Sequence, residues 1–583
     1  MRFFILLFML VSFSLCGGVL DSMQNISTRN TTLPLYNGNE LQAILFGKDI
    51  RRSGELLLVD GPCIDIVRKN ADPKFVKTGA AAVYPLNSDI KKIMDFWRER
   101  ILFSDGVVSS PHTDVNQNIR QAFGKDEIHF RSPAIDIDGV GFHANYRESH
   151  CLIKSNVKIV IRNGASDVRV MLNSGKIPKI LNLIHATSDQ LYIHLKKGEI
   201  ILTGKVFIRD PKGDIKCYKM VILLDRASGK TKNKNNGGNI QGSSVKSINC
   251  FGNIEIDMKE NAPDTGDDSG AAIKFFSLNN AKQDLLNDLS VNTFCSKKQP
   301  AVKSMNIAGT KINARQMRWD FQKNILQFRN DVKIRDHRLN LDCGDLKIYL
   351  APKNKKSKNT VEKIEASNAV NLIDEDYDVK ADRMILYFPA DKPINAGPDD
   401  VYAFGHVLIT SFKRNENKKI ISKSTLAADK GSIFRQKNKA LFLGNVKVRD
   451  EAFHLDSDQL HIFVEKYPAG TVFPPMKKGE APKRVRLNSE YELKHITAFK
   501  NVAIYRKNPD GDEKAYGDRA DYFIKNRKIT LTGTNKKAPV LYKGENTLAT
   551  EIGSKVIVDL DEQIASTVGG AELHIKESLN KRK

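Results

Sequence analysis

The sequence predicts an all-β protein: an extended stack of antiparallel strands, led by a short N-terminal signal or anchor helix. Three observations predict it. First, a pentapeptide recurs nine times: SNVKI from Ser155, GKVFI from Gly204, GNIEI from Gly252, NDVKI from Asn330, NAVNL from Asn368, GHVLI from Gly405, GNVKV from Gly444, KNVAI from Lys500 and GGAEL from Gly569. Second, the beat is regular: early starts lie 49 and 48 residues apart, and four central starts lie 38, 37 and 39 apart. A period of this size marks a repeat array whose units bury their apolar faces only against neighbours. Third, positions three and five are apolar, and the residue between them is Lys, Glu or Asn in six of nine copies. That alternation is the period of a strand with one buried face.

The elements follow in order. Met1-Arg2, the apolar run FFILLFMLVSFSL and Cys16-Gly17-Gly18 have the make-up of a secretory signal. Cleavage is the first expectation, and an uncleaved anchor over residues 3–20 is the alternative. Residues 21–130 form an N-terminal region of unassigned role, with helical spacing from Asp89 to Leu102. Repeats are expected over 131–260, an insertion over 261–304, repeats again over 305–425, and a C-terminal repeat block over 426–583. Asn280 to Leu289 suits a short helix within the insertion.

Within a unit, a strand leads through a polar turn into the strand that carries the pentapeptide. The turns are Lys196-Lys197-Gly198, Gln322-Lys323-Asn324 and Gln436-Lys437-Asn438. Such turn chemistry predicts hairpins. The leading Gly or Asn of each pentapeptide tolerates positive φ and so predicts a bend or bulge. The pair Gly139-Gly141 is read the same way. A degenerate unit begins at Tyr516 (YGDRADYFIKNRKITLTG).

Composition bounds the function. The net charge is +24, and the densest basic runs (230–236, 353–358 and 413–419) fall where hairpin loops belong. Solvated loops are one reading, and a field that favours an anionic ligand is the other. Six cysteines follow Cys16, without a C-x-x-C: Cys63, Cys151, Cys217, Cys250, Cys295 and Cys343. Disulfides and free buried thiols both stay open.

No catalytic set emerges. Gly229-Lys230-Thr231 lacks the upstream glycine of a phosphate loop, because Leu224 stands there. Asp268-Ser269-Gly270 lies in an acidic linker without flanking glycines. No H-E-x-x-H occurs, and the acids that recur after the pentapeptide (Asp210, Asp336, Asp450) read as turn residues. The expectation is a non-enzyme with no metal site and no cofactor.

The repeats resemble the OstA/LptA family, the periplasmic lipopolysaccharide-transport β-jellyroll. The likeness is carried by ADKGSIF from Ala428, LFLGNVKVRD from Leu441, LDSDQLHIFV from Leu455 and ITAFKNVAI from Ile496. The stretch from Tyr516 to Ile575, closing with IASTVGGAELHI, extends it.

The resemblance implies folded-over antiparallel strands with an apolar groove for acyl chains. Lipopolysaccharide would then be the ligand, through its lipid A chains. Other Lpt-like components would join through end strands, with a homo-oligomer as a further option and no nucleic acid. The location implied is the periplasm, and the N-terminal part would correspond to an anchored, LptC-like component. The inward residues that would line such a groove are Ile159, Leu191, Ile193, Val206, Ile208, Met317, Trp319, Phe321, Val332, Ile334, Val446, Val448, Leu460, Ile462, Val556 and Val558. The candidate C-terminal edge is Val556–Leu560 with Ala571–Ile575. Two other readings compete: a closed structural or adhesive β-solenoid, and an exported polyanion binder.

Overall fold

The computed structural model describes residues 27–574, apart from 225–244, 259–310, 351–360, 390–397, 467–490 and shorter loops. The signal or anchor segment, the 280–289 helix, Cys295 and the 230–236 and 353–358 basic runs lie outside the described residues, as does nearly all of 413–419. The described residues are overwhelmingly β, and their strand pairings are antiparallel. The chain divides into two compact units: Met1–Ser277 with Lys311–Lys323, and Leu278–Thr310 with Asn324–Lys583.

In the first unit, the region left unassigned by the sequence is itself mostly strand. Glu40–Ser53 pairs with Ser27–Asn37 on one side, and with both Leu56–Asp60 and Cys63–Val67 on the other. Its helix, α1 (Ile90–Arg100), starts where Asp89 accepts a hydrogen bond from the Lys92 amide at 2.8 Å, an N-cap of the ordinary kind. A short helix, α2 (Val168–Ser174), ends on left-handed Gly175. Trp97 of α1 packs with Tyr84, Val107 and Met171 of α2 in one small core.

The pentapeptide proves to be a bulge of one kind. Gly444 and Asn445 both take positive φ (77° and 46°), and the register with Phe453–Lys466 slips between Leu443 and Val446. The same slip with two successive left-handed residues occurs at Gly204-Lys205, Gly252-Asn253, Asn330-Asp331, Asn368-Ala369, Gly405-His406 and Lys500-Asn501. At the bulge the inward set of the partner strand steps from Ser457 to Leu460, so the sheet turns a corner there. Residues from both sides of the corner, such as Phe442 and Val446, pack into one core. Bulges fall on every second strand, so the 37–39-residue beat is one two-strand hairpin.

Four of the corners are buttressed by an aspartate of the neighbouring strand. Asn445 Nδ2 donates to Asp429 Oδ2 at 3.0 Å, Asn501 Nδ2 to Asp458 at 3.0 Å and Asn368 Nδ2 to Asp345 at 2.7 Å. The His406 ring pairs with Asp382 at 2.9 Å in the same way. A Cβ on Gly444 would lie 2.2 Å from Asp429 Oδ2. Glycine is therefore required there twice over, by φ and by space.

Hairpin ends carry a second recurring device. Arg131, Arg335 and Arg449 each donate Nη1 to the carbonyl of the preceding residue and to one across the turn, and each pairs with an aspartate seven residues on: Asp138, Asp342 and Asp456. Arg335 and Arg449, which directly follow a pentapeptide, thus clip their hairpins closed, and Arg131 does the same without one.

Several expectations need correction. The ninth pentapeptide is not inward: Ala571–His574 is an exposed strand with Leu573 62% exposed, because it pairs only with Asn546–Thr550. Lys555–Asp559 is not an edge, since it pairs with both Lys528–Thr532 and Ile564–Val568. Phe321 is a turn residue stacked on Trp319 at 4.5 Å, just beyond the strand Lys311–Asp320. Gly139–Gly141 is a register slip with Gly141 at φ 68°, as expected. The five described cysteines after Cys16 are buried free thiols.

Candidate functional site

Two inward rows run along the second unit, one on each side of the corner. The first passes in register through Leu326, Ile348, Ile364, Leu386 and Val401, then through Ile433, Ala440, Ile462, Ile496, Tyr522, Ile529 and Val558. The second passes through Ile334, Leu341 and Leu372, then Ile409, Leu426, Val448 and Leu455. As far as Val401 and Leu372 these residues are buried, apart from half-buried Val379 between Leu372 and Ile409. From Ile409 and Ile433 onward most are half-buried, although they still pack on the core. The crease between the rows stays closed throughout: Phe442, Val446, Leu460, Leu531 and Val556 are all buried.

Alanine is frequent along the crease, in the strands whose inward rows are buried (Ala366, Ala381, Ala403) as well as in the later ones. Inward positions at and beside the crease of the C-terminal strands are often Ala: Ala428, Ala440, Ala498, Ala515 and Ala520. Protein interiors fill their space with side chains. The half-buried Ile, Leu and Val beside the crease keep part of their apolar surface in water.

The candidate lining residues divide accordingly. Val446, Leu460 and Val556 form the crease, and Val448, Ile462 and Val558 form the half-exposed rim. Val332 and Ile334 are buried. In the first unit Leu191, Ile193, Val206, Ile208, Met317 and Trp319 are all buried, while Ile159 and Phe321 are half-buried. That unit holds an apolar cavity of only ≈ 60 Å³ between Leu45, Val59, Ile64, Val108 and Phe142. It is too small for an acyl chain. Sequence reasoning missed the alanines of the crease, although the Ala of the A-D motif was their visible signal.

Titratable groups do not converge on a catalytic arrangement among the described residues. The densest buried set lies in the first unit. Trp97 Nε1 donates to Tyr84 Oη at 3.2 Å, Tyr84 Oη donates to Asp136 at 2.9 Å, and Arg162 pairs with Asp136. Arg131 Nε donates to the Tyr84 carbonyl at 2.9 Å. Burial pushes the Tyr84 phenol far above its ordinary value, with the Asp136 charge adding to it. A phenol held protonated between a tryptophan and a paired carboxylate is a tether. No group of metal-ligating side chains occurs among the described residues. No helix among them is long and apolar enough to cross a membrane.

Residues 425–564 match the family model described as LptA/(LptD N-terminal domain) LPS transport protein. That span is the stretch in which the inward rows loosen. Among solved structures, one match is LptH, the LptA homologous periplasmic component of the lipopolysaccharide transport device from Pseudomonas aeruginosa. The two are 17% identical, and the match covers 26% of this chain and 94% of that one, with a TM-score of 0.19. So low a TM-score adds no weight. The curated proteins yield no match. By the family match, residues 425–564 of this chain are OstA/LptA-like.

Proposed function

We propose that this protein carries or bridges lipopolysaccharide between the inner and outer membranes, with acyl chains lying in the groove of residues 425–564. The observation that supports it most is the half-exposed rim of Val448, Ile462, Ile496, Ile529 and Val558 above a closed crease. Removing a methylene from water contributes roughly 0.8 kcal/mol. A chain of about a dozen methylenes therefore gains on the order of 10 kcal/mol gross, before ordering costs. The rows repeat one strand after another, so a chain slides between near-equivalent sites and no chemical step is needed. In this reading the protein works in the periplasm, led there by residues 3–20 as signal or anchor, and the N-terminal part takes the LptC-like role.

End strands support the partners. Ile564–Val568 and Ala571–His574 each pair on one side among the described strands, and Ile564, Val568 and Leu573 are exposed. An open, apolar strand edge invites strand addition by another Lpt-like component or a second copy.

Native mass spectrometry of the full chain purified from a periplasm tests the reading. Co-purifying lipopolysaccharide, lost in a folded Ile462→Asp variant, is the expected result. A lipid-free protein that also takes up no added lipopolysaccharide would favour a closed structural solenoid instead.

A further inference from the structure

The same strands of the second unit carry an organised surface on their opposite face. The register places Tyr349 beside Lys363, Lys363 beside Tyr387, Phe434 beside Lys439, and Lys439 beside Phe463. It continues with His495 beside Phe463, Phe523 beside His495 and Lys528 beside Phe523. Successive strand residues point to opposite faces. The neighbours Ile348, Ile364, Leu386 and Ala440 are buried, so this row faces away from the core.

The rings and cations touch. Lys363 Nζ lies 4.3 Å from the Tyr349 ring centroid, and Lys439 Nζ 5.1 Å from that of Phe463. His495 stacks on Phe463 at 5.5 Å and on Phe523 at 4.1 Å. Parallel rows add Tyr402, Phe404 and Phe499, with the Arg519 guanidinium 5.2 Å from the Phe499 centroid. Tyr387 and Phe523 remain more than 40% exposed.

Cross-strand aromatic pairs stabilise a sheet by a few tenths of a kcal/mol each, which accounts for isolated pairs. The row crosses ten strands, nine bearing a ring or a cation and the tenth, between Tyr387 and Phe434, bearing Asp400, and it is a larger apolar surface than a solvated sheet face needs. Along its main row, rings fall mostly on alternate strands, about 10 Å apart. Lys363 and Lys439 lie between rings, and over the three rows cations outnumber carboxylates. Lys363 pairs with Glu365 at 2.6 Å, Lys528 with Asp559 at 3.1 Å and Arg519 with Asp521 at 2.7 Å, so it is the surplus of cations that remains for a ligand. Flat rings suit the C–H faces of pyranoses, and that surplus suits acidic substituents. Buried hydrocarbon would instead desolvate those cations.

We infer that this outer face binds an extended anionic saccharide chain. The groove is not involved, so a lipid-free saccharide suffices and the groove reading can fail without it.

Calorimetric titration of the full chain at about 0.15 M salt tests the inference with four probes. These are oligogalacturonate, neutral dextran, polyphosphate and vesicles of anionic phospholipid. Oligogalacturonate is expected to bind about tenfold or more tighter than dextran or polyphosphate. Tyr387→Ser with Phe463→Ser should weaken it about tenfold, while Phe463→Tyr, which keeps the ring, should not. A circular-dichroism melt of each variant separates lost binding from lost fold. Polyphosphate bound equally well and indifferent to ring removal would overturn the inference in favour of a merely basic surface. Binding to vesicles alone would overturn it in favour of a lipid surface, and no binding to any probe would reduce the ladder to packing.

Discussion

Leu460 and Ile462 are inward residues two positions apart on the strand Phe453–Lys466, yet they sit in different surroundings. Leu460 is 2% exposed in the crease, whereas Ile462 is half-buried on the rim beside Ile496. Truncating a well-packed Leu to Ala costs about 2–5 kcal/mol, because transfer and cavity terms add. Ile462 lacks atoms on one side, so Ile462→Ala should cost about half as much, roughly 1–2 kcal/mol. The order reverses for acyl binding. Ile462→Ala withdraws contact from the ligand worth about 1 kcal/mol, or roughly a fivefold rise in Kd. Leu460→Ala, whose side chain is covered by its own neighbours, should change it little. Urea midpoints give the first comparison, and displacement of a fluorescent acyl probe gives the second. Equal destabilisation by both variants, with probe affinity unchanged in Ile462→Ala, would show that the rim is ordinary closed core and refute the groove.

Three further outcomes follow from the fold. Gly444→Ala should destabilise by about 1–3 kcal/mol through left-handed strain plus collision with Asp429. Adding Asp429→Ala should recover part of that loss in urea unfolding, and a double variant no better than the single would rule out the collision. Arg162→Met strands the fully buried Asp136 carboxylate and should cost about 3–5 kcal/mol, most of it regained by adding Asp136→Leu. Burial acts to raise the Asp521 carboxyl, but hydrogen bonds from Arg519, Thr497 and His495 overcome it and hold the group below its ordinary value. Its stabilisation is therefore complete above the unfolded carboxylate value near pH 4 and lost as pH falls through the lowered folded one. Asp521→Asn should flatten the acid limb of a plot of urea midpoint against pH, and an unchanged limb would contradict this.

Much of the architecture was legible because its signals are local. Gly444-Asn445 announces a left-handed pair, and Val446 and Val448 announce a strand that buries one face. Repetition of both announces the array. The role-less region 21–130 was illegible for the converse reason. Its strands, such as Leu56–Asp60 and Cys63–Val67, carry the alternation only briefly and lack the pentapeptide. The candidate groove residues were read as one class, although the structure separates buried crease residues from half-buried rim ones.

The sequence by itself therefore determined the fold class, the hairpin period, seven of the nine corner positions and much of the inward set, since these depend on φ preferences and on alternation along one strand. Only the tertiary structure decided which inward residues are covered and which outward ones line up. Burial of Ile462 depends on what neighbouring strands set beside it, Ala440 on one side and Ile496 on the other. The outer ladder likewise exists only through cross-strand register, which sets Tyr349 and Phe523 on one line although 173 positions separate them in the chain.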